Sequence, residues 1–423
     1  MISSLYAQDG AYTGFTPYSI FGIGDINSQG SAYNKSMGGT GIASRNKRYI
    51  NYLNPAAVTA RDSLSFMADM SLVQDNKVMR QDGLAYVNNT FNVNNIAISF
   101  PIYRSSAMLL GIAPYSSTGY SYSYVLDDPA IVGNTGNAVY YSAGKGSTYQ
   151  LFAAAGVTFW KRLSLGVEGI MYFGNIDKAS SFTFAKSAYS GISSSHSIVV
   201  RGTSAKFGLQ YEQPIGTKTT IGIGATYSLG SNLSGYVEQD LIAAGTSQND
   251  TLKFVSDTIG RTTSPICIPT EKGIGISITH ADTWRLEFDY TRSDWTGSGM
   301  ESVNGFGLNS TSVFSTALSE SYRAGFEIVP NRNDIRYYYK RCAYRMGAYY
   351  QNSYYAVDGN QVKDMGLTLG VSLPVYRYFN AVTLAMNLGQ RASLADNMIR
   401  ERYVTFTVGF NFHDYWFHKQ MYD

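Results

Sequence analysis

"LFAAAGVTFWKRLSLGVEGIMYF" occupies residues 151–173, and its alternation decides what the chain can be. Leu151, Ala153, Ala155, Val157 and Phe159 fall on one phase. After Trp160-Lys161-Arg162 the series resumes with Leu163, Leu165, Val167, Gly169, Met171 and Phe173. Successive strand residues point to opposite sides, so a period of two gives one apolar face and one polar or small face. Three residues between the runs leave room only for a tight turn.

The same pattern extends in both directions. Leu64, Phe66, Ala68, Met70 and Leu72 alternate with Ser63, Ser65, Asp69 and Ser71. Ile96, Ile98, Phe100 and Ile102 repeat it, as do Ile221 to Leu229, Leu367 to Leu373, and Val404 to Phe412. The expected strands are 63–73, 94–102, 106–115, 147–159, 163–173, 195–213, 218–229, 272–280, 283–292, 319–329, 338–350, 363–373, 380–390 and 400–412, fourteen in all. Short connections (103–105, 160–162, 214–217, 281–282, 330–337, 374–379) alternate with mostly longer, polar ones (74–93, 116–146, 174–194, 230–271, 293–318, 351–362, 391–399). A soluble sandwich has no reason to lengthen every second connection, whereas an outer-membrane barrel has tight periplasmic turns and long external loops. Lipid receives the outward apolar face without a covering sheet, and closure removes unpaired strand edges.

Composition agrees with that all-β, transmembrane antiparallel barrel. The 423 residues include 35 Tyr and 42 Gly, and only 15% are charged where about a quarter is usual. Tyr and Trp suit the two interfaces of a bilayer. No run approaches the roughly 18 apolar residues of a spanning helix, the best being Met108-Leu109-Leu110-Gly111-Ile112-Ala113. A net charge of +3 spread along the chain does not suggest nucleic acid. Cys267 and Cys342 could form one bridge in an oxidising compartment or stay as free thiols.

About sixty residues precede the first strand, Gly-rich and unpatterned. "SLYAQDG" near the start reads as the end of a secretory signal, cut after Ala7, so residues 1–7 are expected to be its remnant. Three stretches then resemble the FadL-type long-chain fatty-acid transporters of Gram-negative outer membranes. The first is Met37-Gly38-Gly39-Thr40-Gly41-Ile42-Ala43 followed by Asn54-Pro55-Ala56. The second is "IPTEKGIGISITHADTWRLEFDYTRSDW", residues 268–295, and the third is "SYRAGFEIVPNRND" with "YRMGAYY" at 344–350. The resemblance implies a fourteen-stranded barrel (62–412) in the outer membrane, with an N-terminal hatch (8–61) folded into the lumen and a periplasmic tail (413–423). Such a lumen is a water-filled channel unless something fills it. Glycines allow the close packing a filler needs, and Asn54-Pro55 favours a turn where the segment enters the first strand.

Catalytic chemistry is not expected. His413 and His418 flank Asp414, but no third ligand follows at metal-site spacing, so no metal or other cofactor is expected. "SAGKGST" at 142–148 has Gly146 where a phosphate loop needs Ser or Thr. His196 with Ser194 or Ser195 lacks an identifiable Asp partner. Asp127-Asp128 could hold a cation bridging lipopolysaccharide phosphates, but before Pro129 it reads more simply as a solvated turn.

The resemblance implies passive uptake of hydrophobic, fatty-acid-like small molecules through a hatch-gated lumen. Arg45, Lys47 and Arg48 are the cations placed to meet a ligand carboxylate, and Pro101, Gly111 and Pro114 the positions where a wall kink could open sideways. The second expectation is a non-transporting scaffold barrel within a larger outer-membrane secretion or assembly complex, partnered by other outer-membrane proteins as well as by lipid and lipopolysaccharide. Polar external loops and the Trp416-Phe417 tail suit it. The lumen discriminates: a continuous apolar pocket favours uptake, and a wall filled with polar side chains favours the scaffold.

Overall fold

The computed structural model describes residues 12–62, 64–81, 83–103, 105–126, 133, 136–186, 189–244, 249–261, 265–301, 313–376, 380–394 and 398–415. Asp127-Asp128, Trp416-Phe417, His418 and the expected signal remnant lie outside these residues. In chain order the strands are β1 (Asp25–Ile26), β2 (Ser65–Gln81), β3 (Leu84–Tyr103), β4 (Ser106–Leu126), β5 (Ala138–Phe159), β6 (Leu163–Phe184) and β7 (Gly191–Ile215). There follow β8 (Thr219–Ser228), β9 (Ser231–Ala244), β10 (Asn249–Thr258), β11 (Ile266–Ile268), β12 (Glu271–His280) and β13 (Trp284–Asp294). The last are β14 (Phe314–Thr316), β15 (Leu318–Ile328), β16 (Ala343–Val357), β17 (Asn360–Tyr376), β18 (Asn380–Arg391) and β19 (Arg400–Tyr415).

Fourteen of these form the antiparallel wall, which closes where β19 pairs with β2 from Arg400↔Arg80 to Tyr415↔Ser65. The wall strands are the fourteen segments expected from alternation. Their outer face is greasy and uncovered, with Ile274, Leu367, Ile276 and Phe288 exposed, while Ser277, Glu287, Asp289 and Thr368 on the other phase are buried. Burial of polar residues beside exposure of apolar ones is the inverse of a soluble protein and fits a hydrocarbon surround.

The strands run further outward than alternation indicated. Residues 74–81 pair with 84–91, and β4 pairs with β5 up to Leu126↔Ala138, so much of the expected external loops is continued hairpin. In these extensions Ser, Thr, Gly and Tyr occupy both phases, with Ser116, Thr118, Tyr120 and Tyr140 buried, so the apolar alternation fades while the backbone ladder continues. At the opposite end, residues 338–341 form a helical turn rather than the start of a strand, and β16 begins at Ala343. Cys267 and Cys342 are free thiols.

One interruption matters for the interior. β3 and β4 pair from Tyr103↔Ser106 to Ile96↔Ile112, and above that point the strand ladder of β3 continues with β2. β4 instead receives the leader strand β1, through Asp25↔Ser117 and Ile26↔Ser116.

Candidate functional site

The leader lies within the ring of inward-facing side chains, arranged in two tiers. The lower tier, residues 31–60, begins with Ser31 and Asn34 capping a one-turn helix, the Asn34 Oδ1 accepting from the Ser31 N–H at 3.1 Å. The chain then turns through Gly38, whose φ of +70° favours glycine, and a Cβ there would lie 2.6 Å from the carbonyl oxygen of Ala324. Gly39 follows, its carbonyl accepting from Arg323 Nη1 at 3.2 Å. The N–H groups of Gly41 and Ile42 donate to Asp289 Oδ2 at 2.6 and 2.9 Å.

Asn54-Pro55-Ala56 ties this tier together. Asn54 Oδ1 accepts from the Ala56 N–H at 3.0 Å, capping a 3-10 turn over Pro55–Thr59, while Nδ2 donates to the Ile42 carbonyl at 2.7 Å. Asn54→Ala should therefore cost at least the 1–2 kcal/mol typical of a lost cap, about that much again being at stake in the second bond. A lower Tm in detergent micelles checks it; an unchanged Tm means the cap contributes nothing.

Buried charges fasten both tiers to the wall. Arg345 pairs with Glu327 at 2.7 Å and lies over the rings of Tyr33 and Tyr49, 4.6 and 4.8 Å from their centroids. Arg285 bonds to Ser44 Oγ at 3.1 Å and the Arg45 carbonyl at 3.2 Å. In the upper tier Asp25 meets Arg391 at 2.6 Å, which also holds Asp364 at 3.1 Å, with Glu401 at 3.9 Å. Thr16 donates to that same Glu401. Ile20, Phe21 and Ile23 of this tier join an apolar cluster with Ile198, Val237, Met300 and Tyr355.

Between the tiers lies a cavity of about 360 Å³ whose lining includes Asp75, Lys77, Glu168, Lys206, Asp289 and Arg323. Glu168 Oε2 and Asp289 Oδ1 are buried there without a protein hydrogen-bond partner. Such atoms need water. Ile26, Val73, Val93, Ile170, Ile268 and Trp295 line it as well, so charges interrupt an otherwise apolar wall and the chamber is not a continuous apolar pocket.

Gly111 and Pro114 sit where β3 and β4 part, and Pro101 precedes a register shift lower in the same pair. The leader fills the gap above them from both sides. Gln29 Nε2 donates to the Pro114 carbonyl at 3.1 Å, and Asn94 Nδ2 on β3 donates to the Gly30 carbonyl at 3.1 Å. The three cations named for a carboxylate are all engaged with the protein. Arg45 meets Glu212 at 3.1 Å, Lys47 meets Asp62 at 3.5 Å and Arg48 meets Asp282 at 3.9 Å; none lines the chamber. The anchoring residues Asp25, Arg345 and Arg391 were not singled out in the sequence. For Arg345 the signal was present, a charge on the inward phase of an alternating strand.

A family model described as BamG matches residues 1–423. The chain belongs to the BamG family. Its fold is that of the FadL-type outer-membrane barrels. It resembles a Pseudomonas aeruginosa FadL homologue at a TM-score of 0.62 and 11% identity, covering 93% of this chain and 100% of that one. The Ralstonia pickettii toluene transporter TbuX gives 0.60 and 14%, covering 91% and 98%. The Pseudomonas putida toluene transporter TodX gives 0.58 and 13%, covering 94% and 100%. At these identities the likeness fixes the architecture alone. No curated protein sequence matches the BamG-family chain.

Proposed function

We propose that this barrel is a structural subunit of an outer-membrane protein secretion or assembly complex, its leader acting as a fixed plug instead of a moving hatch. The observation that carries the reading is the polar, ion-paired lumen. Wall and leader are joined by the Asp25–Arg391 and Arg45–Glu212 ion pairs, by Arg285 on the Arg45 carbonyl, and by Arg345 over the Tyr33 and Tyr49 rings. Stranding a buried charge such as Arg391 costs about 3–5 kcal/mol, so a gate that had to give up these contacts together on each passage would open rarely. Membership of the BamG family is in keeping with this role. No residue here is assigned to catalysis.

Passive uptake of hydrophobic molecules is the second reading, favoured by the parting of β3 and β4, where a lateral path to lipid would lie. Against it stand the charged side chains that interrupt the chamber's apolar lining, Asp75, Lys77, Glu168, Lys206, Asp289 and Arg323. Each CH₂ of an acyl chain gains about 0.8 kcal/mol only if it leaves water, and the unpartnered Glu168 and Asp289 oxygens favour keeping water beside them.

Two measurements on the purified protein decide between them. The scaffold reading expects a stoichiometric complex with other outer-membrane proteins after extraction in mild detergent. It also expects liposomes containing the barrel to take up a fluorescent fatty acid no faster than empty ones. Saturable uptake by a barrel that purifies alone overturns it.

A further inference from the structure

On the end of the barrel that carries both strand termini of the β19–β2 closure, connections are short: 160–162 and 281–283 are typical. The connection from Ile328 to Ala343 is not. It carries Arg332, Arg336, Lys340 and Arg341 against the single carboxylate of Asp334, with Ile335, Tyr337, Tyr338 and Tyr339 all exposed. Ile335 is 94% exposed at a position no apolar residue of the wall surrounds.

This turn is held in one shape. Asp334 Oδ1 accepts from the N–H groups of Arg336 and Tyr337 at 2.9 and 2.7 Å. The Asn331 N–H donates to the Lys340 carbonyl at 2.9 Å, closing the loop across its base. Lys340 and Arg336 lie over the Tyr337 ring, 4.6 and 5.1 Å from its centroid, and Arg341 lies 5.0 Å over Tyr338. Tyr338 is pinned by its hydroxyl to the Pro374 carbonyl at 2.9 Å. The bonds from Tyr337 and Arg336 hold the Asp334 carboxyl below the ordinary carboxylate range. Its contribution to the turn is thus present at neutral pH and lost as pH falls through that lowered value.

We propose that this periplasmic turn is the docking surface for an acidic partner protein, Ile335 entering an apolar pocket and Arg336, Lys340 and Arg341 meeting carboxylates around it. The proposal rests on the assembly-subunit reading and names the surface and the partner's chemistry. Tyr and Arg dominate binding energy at protein interfaces, because they combine large area with directional polar groups. Lys340 pairs with Asp334 at 3.7 Å, and the positive excess carried by the remaining arginines supplies the charge complementarity. Anionic lipid is the competing occupant of any basic rim, but headgroup attraction needs only clustered charge. Here backbone caps fix an apolar tip among the cations, an arrangement suited to a shaped pocket.

The test uses the full-length barrel in its own outer membrane, with a photo-crosslinking amino acid in place of Ile335. The expected result is one protein adduct whose crosslinked peptide carries Asp or Glu. Arg336→Glu with Lys340→Glu should lower the adduct about tenfold, the effect of roughly 1.4 kcal/mol, and changing those partner carboxylates to Lys should restore it. Heat-modifiable migration confirms that the variants still fold as barrels. Adducts to phospholipid alone, or a protein adduct indifferent to the charge reversals, overturn the proposal. A barrel that co-purifies with partners yet gives no adduct at Ile335 removes this surface and leaves the assembly role standing. A barrel that purifies alone removes both.

Discussion

Arg391→Ala should release the upper tier of the leader and turn a silent barrel into a leaky one. The guanidinium holds Asp25 of the leader and Asp364 of the wall, with Glu401 close by. Removing it leaves three carboxylates together, with Lys77, itself paired to Asp75 at 3.1 Å, as a neighbouring cation. Stranding buried charges in this way costs about 3–5 kcal/mol. Asp25 is the member that can leave, because it sits on a two-residue strand, whereas Asp364 and Glu401 are fixed in long wall strands. A bias of about 3 kcal/mol multiplies the detached population by roughly 10². Planar-bilayer recordings should show frequent openings absent from the unaltered barrel. Arg391→Lys should be intermediate, since a point charge cannot span two carboxylates as a planar fork does. Asp25→Asn combined with Arg391→Met should be milder than Arg391→Ala, because it strands less charge. Silent recordings from Arg391→Ala would mean the ion pairs do not hold this tier.

The wall was legible because a bilayer imposes one rule on every strand, and Leu151 to Phe173 obeys it residue by residue. Where that rule stops, so did the reading: residues 74–81 and 116–126 continue as ladder with polar residues and Tyr on both phases, where apolarity no longer alternates. Asn54-Pro55-Ala56 stood out locally because turn chemistry is local. Arg391 and Asp25 did not, being 366 positions apart with nothing in either neighbourhood to name the other. The cluster Arg45-Asn46-Lys47-Arg48 looked available for a ligand because a sequence lists charges without their partners. Glu212 and Asp282 come from distant wall strands and turns.

Deleting residues 30–60 should give the largest functional change of all, an open water-filled channel in a wall that still folds. The ladder from β2 to β19 owes none of its strand pairs to this segment. What the segment supplies is volume, together with partners for Arg285, Glu287, Asp289 and Arg345, which would become hydrated lining residues. Charged lining is normal for a porin-like lumen of this size, so the wall tolerates the exposure. Residue 29 would then join residue 61 directly, pulling the upper tier down from Arg391 and reopening the gap between β3 and β4. Conductance should rise far above that of Arg391→Ala and lose its gating. The turn at 330–341 lies outside the lumen, so crosslinking at Ile335 should persist in the same variant. Permeability and partner binding would thereby separate: a plug that matters to the first and not to the second is a seal. If the deletion leaves permeability unchanged, the lumen is closed by something other than this segment, and the plug has no part in sealing the barrel.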